Sequence, residues 1–215
     1  MSADPKLSST SKMPCKSFSL EAGETCPASK DKDGTVVDSC RICYAKVGFY
    51  RMGNTKRVRQ HNKKDWKNPD WVQVMVNEIK KDKYFRWFDS GDCYHTKLAF
   101  KILEVMRLTP ETRHWMPTKQ YKFLKFRKIF ERMNGLSNVA VRYSSDSIVG
   151  ETIKGEYTST IIPNSSWPIE NVKICDAYKR KGSCGFCRSC WNKTVKTVAY
   201  PATGAVATKI LRWAV

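Results

Sequence analysis

The alternation of apolar and polar positions is most regular in the middle of the chain. "KYFRWFDSGD" predicts a strand over residues 84–88 with a polar, glycine-containing end. "HTKLAFKILEVMRL" predicts a helix with Leu98, Ala99, Ile102, Leu103 and Met106 on one side. "TRHWMPTK" reads as a second strand stopping at Pro117. "YKFLKFRKIFERMNG" reads as a second helix ended by Asn134 and Gly135, and "NVAVRYSSD" as a third strand. Shorter strands are expected over 160–162, 172–174 and 195–200. Upstream, "NPDWVQVMVNEIKK" predicts a helix capped by Asn68 or Asp70, with Trp71, Val72, Met75 and Ile79 on one face. Strand and helix alternating at this spacing are the mark of parallel βαβ units, whose crossovers are right-handed. The expected fold is α/β, an open or partial parallel (β/α) barrel, with a doubly wound sheet as the alternative.

The ends of the chain are less regular. Residues 1–14 are rich in Ser, Lys and Pro and are expected to form a flexible arm ahead of a single domain over 15–215. Residues 15–43 read as loop and contain Cys26, Cys40 and Cys43. A loop of that length inside a domain is usually functional or tied down, and metal ligation would tie it. The basic stretch "YAKVGFYRMGNTKRVRQHNKKDWK" is expected to be helical in pieces, interrupted by Gly48 and Gly53.

Charge changes the picture modestly. Lys and Arg number 39 against 20 Asp and Glu, a formal charge of +19. That favours contact with a polyanion such as nucleic acid, and a well-solvated basic surface explains it equally well. The polar N-terminus has no secretory apolar stretch, and no run of 18 apolar residues exists. The chain is therefore expected in the cytosol, without a membrane partner. Nine cysteines in a reducing compartment suit metal ligation better than disulfides.

The chemistry should gather where parallel strands end. The first central strand ends at Asp89, Ser90, Gly91, Asp92 and Cys93, the second at Thr118 and Lys119, the third at Ser145 and Asp146. A later strand ends at Cys175, just ahead of "GSCGFCRSCW", which holds Cys184, Cys187 and Cys190. Both cysteine-rich loops are expected to pack at this rim. Cx2Cx2C with a distant fourth cysteine is the spacing of a 4Fe-4S site. The fourth ligand would be Cys175 or Cys43, with Cys26 and Cys40 also candidates. Zinc prefers separated Cx2C pairs and would leave Cys190 unexplained, so it is the alternative metal. Cys15 and Cys93 read as structural thiols. Asp92 suits an acid, a base or a hydrogen-bond acceptor, or simply a helix cap. Thr118 and Lys119 suit an anion site or, again, a cap. Ser90 and Gly91 are candidate cofactor contacts. A Walker-type or dinucleotide-type glycine loop is absent.

"FSLEAGETCPAS", "CRICYAK", "FDSGDCY", "PTK" and "SCGFCRSCW" resemble, in that order, a cysteine-rich bacteriophage gene-product family. The resemblance runs from about Phe18 to Trp191. It carries over Cys26, Cys43, Cys184, Cys187 and Cys190 as cysteine motifs, Ser90, Gly91 and Asp92 as a strand end, and Thr118 and Lys119 as the next. It implies a phage-encoded iron–sulfur protein in the cytoplasm of the infected host, possessing one cluster and an electron donor or acceptor as partner. Electron transfer or redox catalysis on a small substrate would be its work. The Cys-Tyr-Ala segment and the βαβ array also look distantly like radical SAM enzymes, although the chain lacks their Cx3Cx2C loop. A zinc-stabilised, basic nucleic-acid-binding protein is the competing expectation.

Overall fold

The computed structural model describes residues 2–202 together with 208 and 210. In chain order its elements are β1 (Ser8–Ser9), β2 (Lys16–Phe18), α1 (Asp38–Arg41), α2 (Gly53–Asp65), α3 (Trp71–Ile79), β3 (Tyr84–Trp87), α4 (Thr96–Leu108), β4 (Arg113–Thr118), α5 (Leu124–Asn134), β5 (Val139–Ser144), β6 (Thr158–Ile162), β7 (Lys173–Ile174) and β8 (Thr197–Pro201). The strands form one eight-stranded sheet in the order β1-β2-β3-β4-β5-β6-β8-β7. β1 runs antiparallel to β2 and every other pair is parallel. β1 and β7 are its edges; among the described residues the sheet is not closed into a barrel.

Strand period 2 sorts the sheet into two unlike faces. Phe85 and Trp87 of β3, Met116 of β4, and Val139, Val141 and Tyr143 of β5 face α3, α4 and α5 in one core. Those helices bury the stripes their sequences promise: Met75 and Ile79 from α3, Leu98, Ile102 and Met106 from α4, Phe126, Phe130 and Met133 from α5. A buried polar chain threads this core. The Trp87 indole donates to His114 Nδ1 at 3.3 Å, so the other ring nitrogen carries the proton and donates to Thr109 Oγ1 at 2.9 Å. Thr109 in turn donates to the Val105 carbonyl at 2.7 Å.

The opposite face displays Tyr84 and Arg86 of β3, Trp115 of β4, Arg142 of β5 and Tyr200 of β8. α3, α4 and α5 pack on the other face. Steps β2 to β6 progress one way across the sheet, so right-handed crossovers put their helices on one side. β7 lies at the edge and β8 returns inward of it, so the β7–β8 crossover reverses direction and crosses on the other side. That crossover is the C-terminal cysteine loop. The doubly wound alternative is not what the helices build: α4 and α5 share one face.

Several local expectations are corrected. Gly53 begins α2, a continuous helix of 13 residues, and does not break it. Pro117 lies within β4, opposite Arg142, and the strand runs on to Thr118. Asp70 occupies the N-cap position of α3 but does not cap it; its carboxylate accepts from the Ser2 hydroxyl and the Ala3 amide. The N-terminal segment lies along α2, where Asn62 accepts from the Lys6 amide at 2.9 Å and donates to the Lys6 and Ser19 carbonyls. No helix is long and apolar enough to cross a membrane among the described residues.

Candidate metal centre

Arg142 organises the C-terminal cysteine loop. Its side chain is fully buried, and its guanidinium donates to five backbone carbonyls of the loop: Cys190 at 2.9 Å, Ser189 at 3.0 Å, Asn192 at 2.9 Å, Val195 at 2.8 Å and Lys196 at 3.1 Å. The planar fork of five N–H groups makes this possible. Trp191 inserts between Trp115 and Tyr84 at centroid distances of 5.2 and 5.5 Å, and its indole donates to the Phe85 carbonyl at 2.9 Å. The Cys184 amide donates to Lys12 at 2.8 Å, and Arg180, paired with Asp176 at 2.8 Å, also reaches the Cys184 carbonyl at 3.2 Å. The loop thus lies across the open face of the sheet, held to β5 by Arg142 and to β3 and β4 by its own Trp191.

Cys175, Cys184, Cys187 and Cys190 line one small cavity of about 20 Å³, together with Lys173, Arg180, Ser189 and Trp191. That is about the space of one water. The thiols are not equivalent. Burial pushes Cys190 up to about 11, against the Tyr200 hydroxyl 3.2 Å away. Burial also raises Cys184. Cys187 goes the other way: partial burial opposes ionisation, but the Ser189 hydroxyl at 3.4 Å, the Ser189 amide and the Lys173 charge outweigh it.

The N-terminal loop does fold over the strand ends. Phe88 takes φ +57°, unusual for a bulky residue, and turns the chain out of β3. Gly91, at φ +74°, lets residues 20–25 approach so closely that a Cβ would stand 2.7 Å from Leu20. The Ser90 carbonyl accepts from the Leu20 amide at 3.0 Å, while the Ser90 hydroxyl is buried without a partner. Asp92 accepts from the Thr118 hydroxyl at 2.6 Å, the Lys119 amide at 2.8 Å and the Cys93 amide at 2.7 Å. Burial raises its carboxyl above the usual range, opposed by these donors. Lys119 extends its ammonium to the Ser144 carbonyl and Asp146 at 3.0 and 3.1 Å, and to the Ser145 carbonyl. Asp92 and Lys119 therefore lash the ends of β3, β4 and β5 together. The capping role considered for Asp92 falls to His95, whose ring accepts from the Lys97 amide at the start of α4.

Cys26, Cys40 and Cys43 lie in this loop, away from the cavity just described. Burial lifts Cys26 up to about 12, and the charges of Asp92, Cys43 and Cys40 add to that. Burial raises Cys40 too, countered by Lys119. So the seven candidate thiols divide into a set of four on the sheet face and a set of three at the rim. Cys93 is buried in the helical core, and Cys15, Cys184, Cys190 and Tyr200 each pack against the buried cluster of Met13, Trp115 and Trp191.

Sequence reasoning missed Arg86 and Arg142. Arg86 lies over the Trp115 ring at 4.4 Å, donates to Tyr44, the neighbour of Cys43, at 3.0 Å, and influences the thiols of Cys15, Cys184 and Cys190. The available signal was a charged residue inside each of two apolar strands.

Among the described residues, no three His, Cys, Asp or Glu side chains converge on a point that could hold a single metal ion. A family model described as Gene product 88 matches residues 2–193. No curated protein and no solved structure matches the chain.

Proposed function

We propose, on the premise that the chain belongs to the Gene product 88 family, a phage-type gene-product family, that it is an iron–sulfur protein. Cys175, Cys184, Cys187 and Cys190 would hold one 4Fe-4S cluster on the open face of the sheet. The single observation that carries this is the lining of one cavity by those four thiols. When bound, the cluster supplies one-electron chemistry, for transfer to a partner or to a small substrate.

The chain's own residues supply the setting. Ser189 and Tyr200 place hydroxyls beside the sulfurs of Cys187 and Cys190, where hydrogen bonds stabilise thiolate charge. Arg142 and Arg180 fix the loop backbone and add positive charge near it. Trp191 and Trp115 shield the inner side from water. The cavity is smaller than a cubane, so holding one would require the loop to open; Phe186 at its tip is fully exposed.

Oxygen-free purification or reconstitution tests the reading. The expected product is brown, with a broad visible absorbance that dithionite bleaches, and Mössbauer spectra of a cubane. A colourless protein carrying stoichiometric zinc sinks it. Stripping the metal is also expected to lower Tm, since ligand binding to the folded state stabilises it.

A second reading has its own observation. Lys56, Lys64 and Lys67 stand exposed on or just beyond α2 without an ion pair among the described residues. With the +19 charge, this favours a polyanion partner, and nucleic acid is the class that fits.

A further inference from the structure

We infer that the cleft beside the C-terminal cysteine loop, edged by Lys12 and Lys181, binds a small molecule carrying two negative charges and holds it next to the four-thiol set. The inference rests on the iron–sulfur reading above for what the bound molecule meets; for the binding itself it stands on the cleft alone.

The thiol cavity has room for about one water, so a reaction partner of its contents has to sit outside it. A second, open hollow of about 490 Å³ adjoins it, and Cys175 and Ala177 line both. That volume falls in the range of small-molecule sites. Lys12, Lys181, Tyr178 and Tyr200 also line it, and no carboxylate among the described residues does. Neither lysine ammonium has a hydrogen-bond or ion-pair partner among the described residues. Asp176, beside Cys175 in the chain, is already paired with Arg180 at 2.8 Å.

Backbone contacts bring these lysines together from distant parts of the chain. The Cys184 amide donates to the Lys12 carbonyl at 2.8 Å. Lys181 follows the single 3-10 turn Ala177–Arg180 and takes φ +50°, a left-handed conformation that a helix end normally gives to glycine or asparagine. The Gly182 amide then donates to the Ala177 carbonyl at 2.9 Å and closes the turn. A lysine at a position that favours glycine is a strained residue of the kind that gathers at ligand sites. Tyr200 links the two hollows: it lines the cleft, and its hydroxyl stands 3.2 Å from Cys190 Sγ. Two unpaired cations beside a tyrosine ring suit a compact dianion, either a phosphate ester or a dicarboxylate.

Calorimetric titration of the full-length protein, metal-free and reconstituted, with phenyl phosphate and with phthalate at constant ionic strength tests this. One-to-one binding of at least one probe is expected, and the probe that binds names the ligand's acid group. K12Q/K181Q should weaken it roughly tenfold or more. K56Q/K64Q/K67Q removes three charges elsewhere and should leave it unchanged. No binding of either probe overturns the inference. So does an equal loss in both variants, which would make the cleft part of a general polyanion surface. Should K12Q/K181Q fail to fold, iodoacetamide labelling of the unaltered, metal-free protein decides. Bound probe should slow labelling of Cys175 and leave Cys43 alone; labelling of Cys175 that ignores the probe overturns the inference. Binding by a protein that takes up no iron upholds the cleft and removes the iron–sulfur reading. A brown protein with a cubane that ignores both probes does the reverse.

Discussion

Single residues carry much of the architecture. Arg142→Met removes donors from five carbonyls that the fold has already buried. Lost bonds to a charged donor cost about 3 kcal/mol in total or more. For a chain of this size Tm should then fall by roughly 6–12 °C, and calorimetry would measure it. Lysine at this position would restore the charge without the fork, so it should rescue little. His114 makes a pH-dependent prediction. Burial pushes its pKa down to about 3, against the Thr109 contact, and its neutral form is satisfied on both nitrogens. Unfolding frees it to bind a proton near pH 6.5. The unfolded chain therefore binds more protons between pH 6.5 and about 3, so folded stability falls as pH drops through that window. The slope should approach about 1.4 kcal/mol per pH unit, and His114→Gln should flatten it in urea titrations between pH 6.5 and 5. Neither residue's role was legible in the sequence. "VAVRY" and "RHWMP" read as strands, but a buried arginine and a buried histidine declare their partners only when distant backbone arrives beside them.

At the scale of elements, the alternating middle of the chain was the legible part. β3, α4, β4, α5 and β5 fall where periodicity puts them, because each is long enough to show its period and each has a face to bury. β1 and β2 span two and three residues, too short for any period, and β2 exists because Phe18 and Ser17 pair with Trp87 and Arg86 across 60-odd residues of chain. The junction of that N-terminal loop with β3 hangs on Gly91. Gly91→Ala meets Leu20 backbone at 2.7 Å and a φ of +74°, so it should cost more than about 1 kcal/mol. Its signature should be local: faster amide exchange over residues 20–25, with α4 and α5 unchanged. Uniform loss of protection across both helices would show that the junction is not a separate unit. The thiol sets were half legible. Spacing singled out Cys184, Cys187 and Cys190, but the face they occupy follows from β8 returning inside β7, and strand order is not written in local sequence.

Across the whole molecule, the net charge of +19 should act on long-range encounters more than on the fold. Affinity for duplex DNA should fall steeply as salt rises. Replacing Lys56, Lys64 and Lys67 by glutamine should flatten the plot of log affinity against log salt by about 0.9 for each phosphate that the variant no longer neutralises. Binding that ignores salt would rule out nucleic acid as a partner. The winding of the sheet has one more effect, on the order in which the molecule is finished during synthesis. The helices α3, α4 and α5 and the strands β3, β4 and β5 that they cover are all synthesised by residue 144. Trp115 and Tyr84 must wait for residues 184–200, so until then the nascent chain shows bare aromatic surface on one flank. A ribosome stalled between those two points would display a half-built protein, greasy on one side, that chaperones should seize and the finished chain should escape.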